Sequence, residues 1–190
     1  MPDFQEHLAA AKAGDEAAFV VLFRSVQPAL LRFLQGLSRD SALAEDVAAE
    51  TWLSIVKGLH RFEGDEAGWR AWVLTIGRAR LRDAQRRLFG RSHLAQPHDD
   101  TLLDERAPDD VHDSVEAAMS MDRVLALVGN LPRDQAEVIL LRYVAGLDVA
   151  RTAQVMGRSP GSVRVAAHRG LKKLAGLLSE LAEHHPARDL

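Results

Sequence analysis

The chain has no cysteine, which excludes disulfides, thiolate metal ligation and thiol redox sensing. No uninterrupted apolar run approaches the ~18 residues of a membrane span, so the sequence predicts no membrane insertion. Its start, Met1-Pro2-Asp3-Phe4, has no charged segment followed by an apolar one. No signal peptide is expected, and a cytoplasmic protein follows. Basic charge is not in excess either, because 24 Lys+Arg face 27 Asp+Glu for a net charge of −3. That total argues against a uniformly basic coat for nucleic acid. Chemical motifs are missing as well. The eight histidines form no HxxxH or HExxH, no Ser/His/Asp order stands out, and no Gly-rich loop is built to cradle phosphate. The expectation is therefore no enzyme, no metal and no cofactor.

What is present is organised. The 190 residues, 47% of them hydrophobic, suffice for one mid-sized domain or two small ones. Charge is segregated along them. Residues 1–60 hold 5 basic and 8 acidic side chains, and residues 61–91 hold 8 and 4. Residues 92–122 hold 1 and 9, and residues 123–190 hold 10 and 6. Two basic modules flank an acidic strap, which the near-neutral total conceals.

Helical period runs through both modules, and no stretch reads convincingly as alternating strand. Phe19, Leu22, Phe23, Val26, Leu30, Phe33, Leu34 and Leu37 form the stripe of a helix from Asp15 to about Gly36, with Pro28 expected to kink or interrupt it. A second helix, Ser41 to about Lys57, carries Leu43, Val47, Ala48, Trp52, Ile55, Val56 and Leu59 as its core stripe. After a loop at 60–65, a third helix extends to about Arg87 and buries Trp69, Trp72, Val73 and Ile76. From Gly90 to Asp113 the pattern fails, and Pro97, Pro108 and seven Asp/Glu suggest an extended acidic linker. Helical spacing resumes at Ser114, and Leu131-Pro132 opens a helix through Tyr143. The expectation is an all-α protein of two small helical domains, an N-terminal bundle and a C-terminal helix-turn-helix domain, joined by a flexible acidic linker. Its boundaries are 1–90, 91–113, 114–183 and a tail at 184–190.

The helix-turn-helix lies between Val149 and about Leu174. Asp148 caps a short helix that stops at Gly157, Ser159 caps the next, and Pro160 opens it. Ala153 permits close approach of the two helices, and Val163 plugs their corner. The second helix projects Ser162, Arg164, Val165, His168, Arg169 and Lys172 away from a core stripe of Val163, Ala167, Leu171 and Leu174. Residues 149–179 hold six Lys/Arg and no acid. One-signed charge on such a helix fits DNA phosphates and the major groove. The other reading is a helical hairpin that contacts protein through a basic face.

The first module offers two further faces. Its third helix ends in Arg78, Arg80, Arg82, Arg86 and Arg87, beside a loop carrying Arg61 and Phe62. Cations next to a loop aromatic suit single-stranded DNA, where bases stack and phosphates need counter-charge. Trp69 and Trp72 read as core; Phe62 reads equally as core or as a stacking residue. On the second helix, Asp46, Glu50, Leu53 and Lys57 fall within about one 60° arc opposite the core stripe. An exposed leucine between carboxylates suits docking on a basic partner surface with an apolar spot.

Together these elements resemble the bacterial alternative sigma factors of the extracytoplasmic-function (ECF) type, over nearly the whole length. The likeness is carried by Ala44-Glu45-Asp46-Val47, Glu50-Thr51-Trp52-Leu53, the run from Trp72 to Arg78, and Asp83-Ala84-Gln85-Arg86-Arg87. In the second module it is carried by Leu131-Pro132, Val138 to Arg142, Gly161-Ser162-Val163-Arg164 and His168-Arg169-Gly170-Leu171. The resemblance implies a dissociable subunit of RNA polymerase. Asp46, Glu50, Leu53 and Lys57 would dock on core polymerase. Arg61, Phe62, Arg78, Arg82, Arg86 and Arg87 would melt and read the minus-ten element. Ser162, Arg164, Val165, His168, Arg169 and Lys172 would read the minus-thirty-five element. Both large polymerase subunits, promoter DNA in duplex and melted form, and an anti-sigma factor are the implied partners. The chain departs from the family's habits at Ala49, Ala79, Arg151-Thr152 and Ala166, which puts the promoter sequence in doubt. The rival classes are an ordinary helix-turn-helix repressor or activator and a metal-dependent hydrolase. The crowding of charged faces on a small bundle argues against the first, and the histidine spacing argues against the second.

Overall fold

The computed structural model describes residues 3–92 and 121–183, and among these every regular element is helical. Most of the expected linker, and the expected helical residues 114–120, lie outside the described residues. In the first module, α1 (Phe4–Lys12) packs on α2 (Glu16–Ser38), which is followed by α3 (Ser41–Gly58) and α4 (Glu66–Ser92). In the second, α5 (Met121–Gly129) and α6 (Arg133–Ile139) lead through a π-turn at Leu140–Val144 to α7 (Val149–Met156) and α8 (Pro160–Glu183).

Local chemistry sets the boundaries. The Asp15 carboxylate accepts from the Ala18 amide at 3.0 Å, Asp40 does the same for Leu43 at 3.0 Å, and Asp65 for Gly68 at 2.6 Å. Each satisfies an amide that has no intrahelical partner. Pro28 neither ends nor interrupts α2, which runs through it for 23 residues. Its ring lies on the exposed side, so the carbonyl that loses its partner is not sealed in a core. Helix α4 overruns the expected stop at Arg87, and so residues 91–92, expected in the linker, are helical.

The core is built around α2, whose Leu22, Val26, Leu30, Phe33 and Leu34 are fully buried. Helix α2 is long and apolar enough to cross a membrane, which a count of uninterrupted apolar runs passes over. Its most apolar face is instead enclosed by α1, α3 and α4. At one end, Phe19, Phe23, Trp52, Trp69, Trp72 and Phe62 make a continuous chain of ring contacts, with centroids 4.7–6.3 Å apart. The Trp69 indole donates to the Leu22 carbonyl at 3.3 Å, which satisfies its only polar group inside the core.

The two modules share a seam rather than standing apart. Leu140 lies against Gly36 so closely that a Cβ there would come within 2.8 Å of its methyl groups, and Leu125 sits 3.3 Å from the same point. The π-turn leaves Leu140 and Leu141 fully buried. Helix α7 packs along α4, and α6 packs on α8 within the second module.

Candidate nucleic-acid and partner interfaces

The second module's helix-turn-helix forms as its local sequence dictates. Asp148 accepts from the Arg151 amide at 2.7 Å, and Gly157 adopts the left-handed conformation at φ 65° that ends α7. The Ser159 hydroxyl accepts from the Ser162 amide at 3.2 Å. Ala153 and Val163 are buried at the corner, and Gly170 sits against Ile139 where a Cβ would come within 3.0 Å. Ser162, Arg164, Val165, His168, Arg169 and Lys172 are all exposed on the opposite side of α8. Leu171 does not complete the core stripe: it is 43% exposed, and the covered side of α8 runs instead through Val163, Ala167 and Gly170 to the half-buried Leu174.

On α3, Asp46, Leu53 and Lys57 are exposed and Glu50 is half-buried, all on the side facing away from the core. Leu53 is 63% exposed. Val56, expected in the core stripe, is also exposed and adjoins Leu53 instead. Beside them an open groove of about 450 Å³ is lined by Phe19, Val20, Val56, Leu59 and His60. This outward face of α3 is thus more apolar than its sequence spacing suggested. Glu50 is approached by the Arg87 guanidinium at 3.5 Å, which links this face to the basic end of α4.

The structure corrects two expectations for the minus-ten group. Phe62 is not a solvent-facing stacking residue. Its ring is buried, stacked on Trp72 with centroids 5.0 Å apart and set edge-on to Trp69 at 5.4 Å. The backbone at Gly64 folds over it, where any Cβ would lie 3.1 Å from the ring. Arg78 is not an open cation either. It is 9% exposed, and its guanidinium makes a two-point contact with the Glu137 carboxylate of α6, which is itself buried. A bidentate pair is the strongest form of such a contact. Removing one partner strands the other charge in the seam, at a cost of about 3–5 kcal/mol.

The remaining cations differ among themselves. Arg61 is exposed and donates to the His60 ring at 3.1 Å. Arg86 pairs with Asp83 on its own helix. Arg82 is exposed. Its partial burial and then the Arg78 guanidinium pull it below the usual arginine range, Arg133 and Arg158 add to this, and Glu137 opposes it. It still carries its charge at any physiological pH. The modules are further joined by Arg133, which donates to Gln85 at 2.7 Å, and by Arg151, which meets the Asp65 carboxylate at 2.8 and 3.1 Å. Arg151 is one of the departures noted above, and the structure gives it a partner. No grouping of three or more His, Asp or Glu suited to a metal occurs among the described residues.

Sequence reasoning missed these cross-module pairs because Arg78 and Glu137 are 59 residues apart and Asp65 and Arg151 are 86 apart. One signal was available. Glu137 interrupts the apolar run Ala136-Val138-Ile139-Leu140-Leu141, and a charge in such a run needs a partner.

Known families match both modules. The model of sigma-70 region 2 matches residues 22–88, and that of sigma-70 region 4 matches residues 121–174. The ECF RNA polymerase sigma factor ShbA of Streptomyces griseus is 33% identical over 175 residues, spanning 88% of this chain and 91% of its own. The chain belongs to the ECF sigma factors. The RNA polymerase sigma factor CarQ of Myxococcus xanthus is 34% identical over 170 residues, covering 88% of this chain and 93% of the relative. Among solved structures, the sigma factor RpoE of Bartonella quintana, in complex with the anti-sigma factor NepR, shares the fold. Its TM-score is 0.69 at 23% identity, over 85% of this chain and 96% of that one. As a sigma factor, the protein is an initiation factor that binds core RNA polymerase and directs it to specific promoters.

Proposed function

We propose the following division of labour within this ECF sigma factor. Residues 1–90 form the domain that docks on core polymerase and opens the minus-ten element. Residues 91–113 form the acidic linker, residues 114–183 form the domain that reads the minus-thirty-five element, and residues 184–190 form a tail. The polymerase-facing surface is Asp46, Glu50, Leu53 and Lys57, extended by the exposed Val56. Carboxylates steer a basic partner, and the apolar centre supplies the buried contact. Arg61, Arg82, Arg86 and Arg87 contact the melted strand. Ser162, Arg164, Val165, His168, Arg169 and Lys172 enter the major groove.

The observation that carries this reading is the exposed, acid-free face of α8 behind a correctly capped helix-turn-helix corner. The protein performs no catalysis of its own and works in the cytoplasm, on the nucleoid. An anti-sigma factor is the partner expected to hold it inactive, as NepR is complexed with the sigma factor RpoE of Bartonella quintana. Charge reversal at Asp46 and Glu50 tests the docking surface. The doubly reversed chain should no longer capture core polymerase in a pull-down, and undiminished capture removes this face from the interface.

A further inference from the structure

Read as a promoter-binding arginine, Arg78 occupies a position that prevents it from touching DNA. Its guanidinium is spent on Glu137, and both groups are buried in the seam between the modules. The same seam holds two more cross-module polar contacts along α4. Asp65 receives Arg151 at its start, and Gln85 receives Arg133 further on. The second module also reaches α2, where Leu140 packs closely on Gly36. The second module therefore covers one side of α4 along much of its length.

This closed form cannot engage a promoter through both modules. Elements centred at minus ten and minus thirty-five lie about 25 base pairs apart, or roughly 85 Å of duplex at about 3.4 Å per pair. A compact chain of this length has a radius of gyration of only about 16 Å. The modules must separate before α4 and α8 can each reach an element, and separation strips Glu137 from Arg78.

The chemistry of the pair suits such an exchange. A guanidinium fork binds a carboxylate and a phosphate with the same two-point geometry. We propose that Glu137 is a built-in stand-in for a nucleic-acid phosphate. It occupies Arg78 and clasps the two modules together in the free factor, so that single-stranded DNA is bound weakly until the modules part. The phosphate-mimic element rests on the minus-ten role of α4; the clasp does not.

The absence of cysteine makes the test direct. Ala42 on α3 and Gln154 on α7 are exposed and lie in different modules, so Ala42→Cys and Gln154→Cys can carry a pair of spin labels on the full-length free protein. The labels should report one narrow distance distribution. Glu137→Gln, which keeps shape and removes charge, should broaden it. The same variant should tighten binding of a fluorescent single-stranded DNA oligonucleotide by about tenfold, the worth of one charge-assisted hydrogen bond. Adding Arg78→Gln should erase that gain. The charge-swapped protein, Arg78→Glu with Glu137→Arg, should restore the narrow distribution without restoring DNA affinity. A broad distribution in the unmutated protein overturns the proposal, as does a Glu137→Gln variant unchanged in both readouts. A broadened distribution with unchanged DNA affinity overturns the phosphate mimicry and removes Arg78 from the minus-ten reader. The family membership rests on the matches to both modules and would stand unchanged.

Discussion

The two arginine-rich helices of this protein meet very different surroundings. On α4, Arg78 is buried against Glu137, Arg80 donates to the Ser54 hydroxyl at 2.9 Å, and Arg86 and Arg87 lie beside Asp83 and Glu50. On α8, Arg164, His168, Arg169 and Lys172 stand exposed, with no acid on the helix until Glu180. One helix is held in check by protein acceptors, and the other is left to solvent. Helix position explains the difference. Helix α4 is packed on both α3 and α7, whereas only the first half of α8 is covered, chiefly by α6 and α7. The contrast fits the tasks proposed for them, with α8 reading duplex from outside and α4 holding the opened strand.

The largest expected effect comes from undermining the support of α4. Phe62→Ala removes a ring from the Trp69–Trp72 cluster and should cost about 3–5 kcal/mol of stability in chemical denaturation. A variant that melts normally but fails only in promoter opening would return Phe62 to the DNA surface. Next, Arg164→Ala and Arg169→Ala should each weaken duplex binding by about 1–3 kcal/mol if they read bases. A phosphate contact would instead show as a salt slope lower by about 1 unit. Salt sharpens the comparison as well. Raising it should weaken α8 binding steeply while leaving the buried Arg78–Glu137 pair almost untouched. Loss of the α7 cap in Asp148→Ala should cost about 1 kcal/mol, seen as a lower denaturation midpoint. The smallest effect belongs to Arg151→Ala. Its pair with Asp65 is partly exposed and worth only about 0.2–1 kcal/mol. The labelled protein should then show a slight broadening, well short of that in Glu137→Gln.

Local rules made the helix-turn-helix legible. A cap, a left-handed glycine, a second cap and a corner residue all lie within 16 residues, from Asp148 to Val163, and none depends on distant partners. The helices of the first module and the outward side of α3 were legible for the same reason, since periodicity alone separates the faces of a helix. Burial was less so. Val56 and Leu171 each follow a buried position, Ile55 and Gly170, and so sit about 100° round the helix from it at the edge of the apolar stripe, where spacing alone reads them as core. Phe62 sits in a loop, where periodicity says nothing, and only the fold-over at Gly64 decides its side. The seam was illegible because it joins residues 59 and 86 positions apart, and a lone arginine in a basic helix gives no sign that a carboxylate waits across the fold.

The contrast between a covered α4 and an open α8 is tested most directly by a nuclease footprint on one promoter fragment at low salt. The free protein should protect the minus-thirty-five element alone, and protection of the minus-ten element should appear only when core polymerase is added. Equal protection of both elements by the free protein would contradict the account.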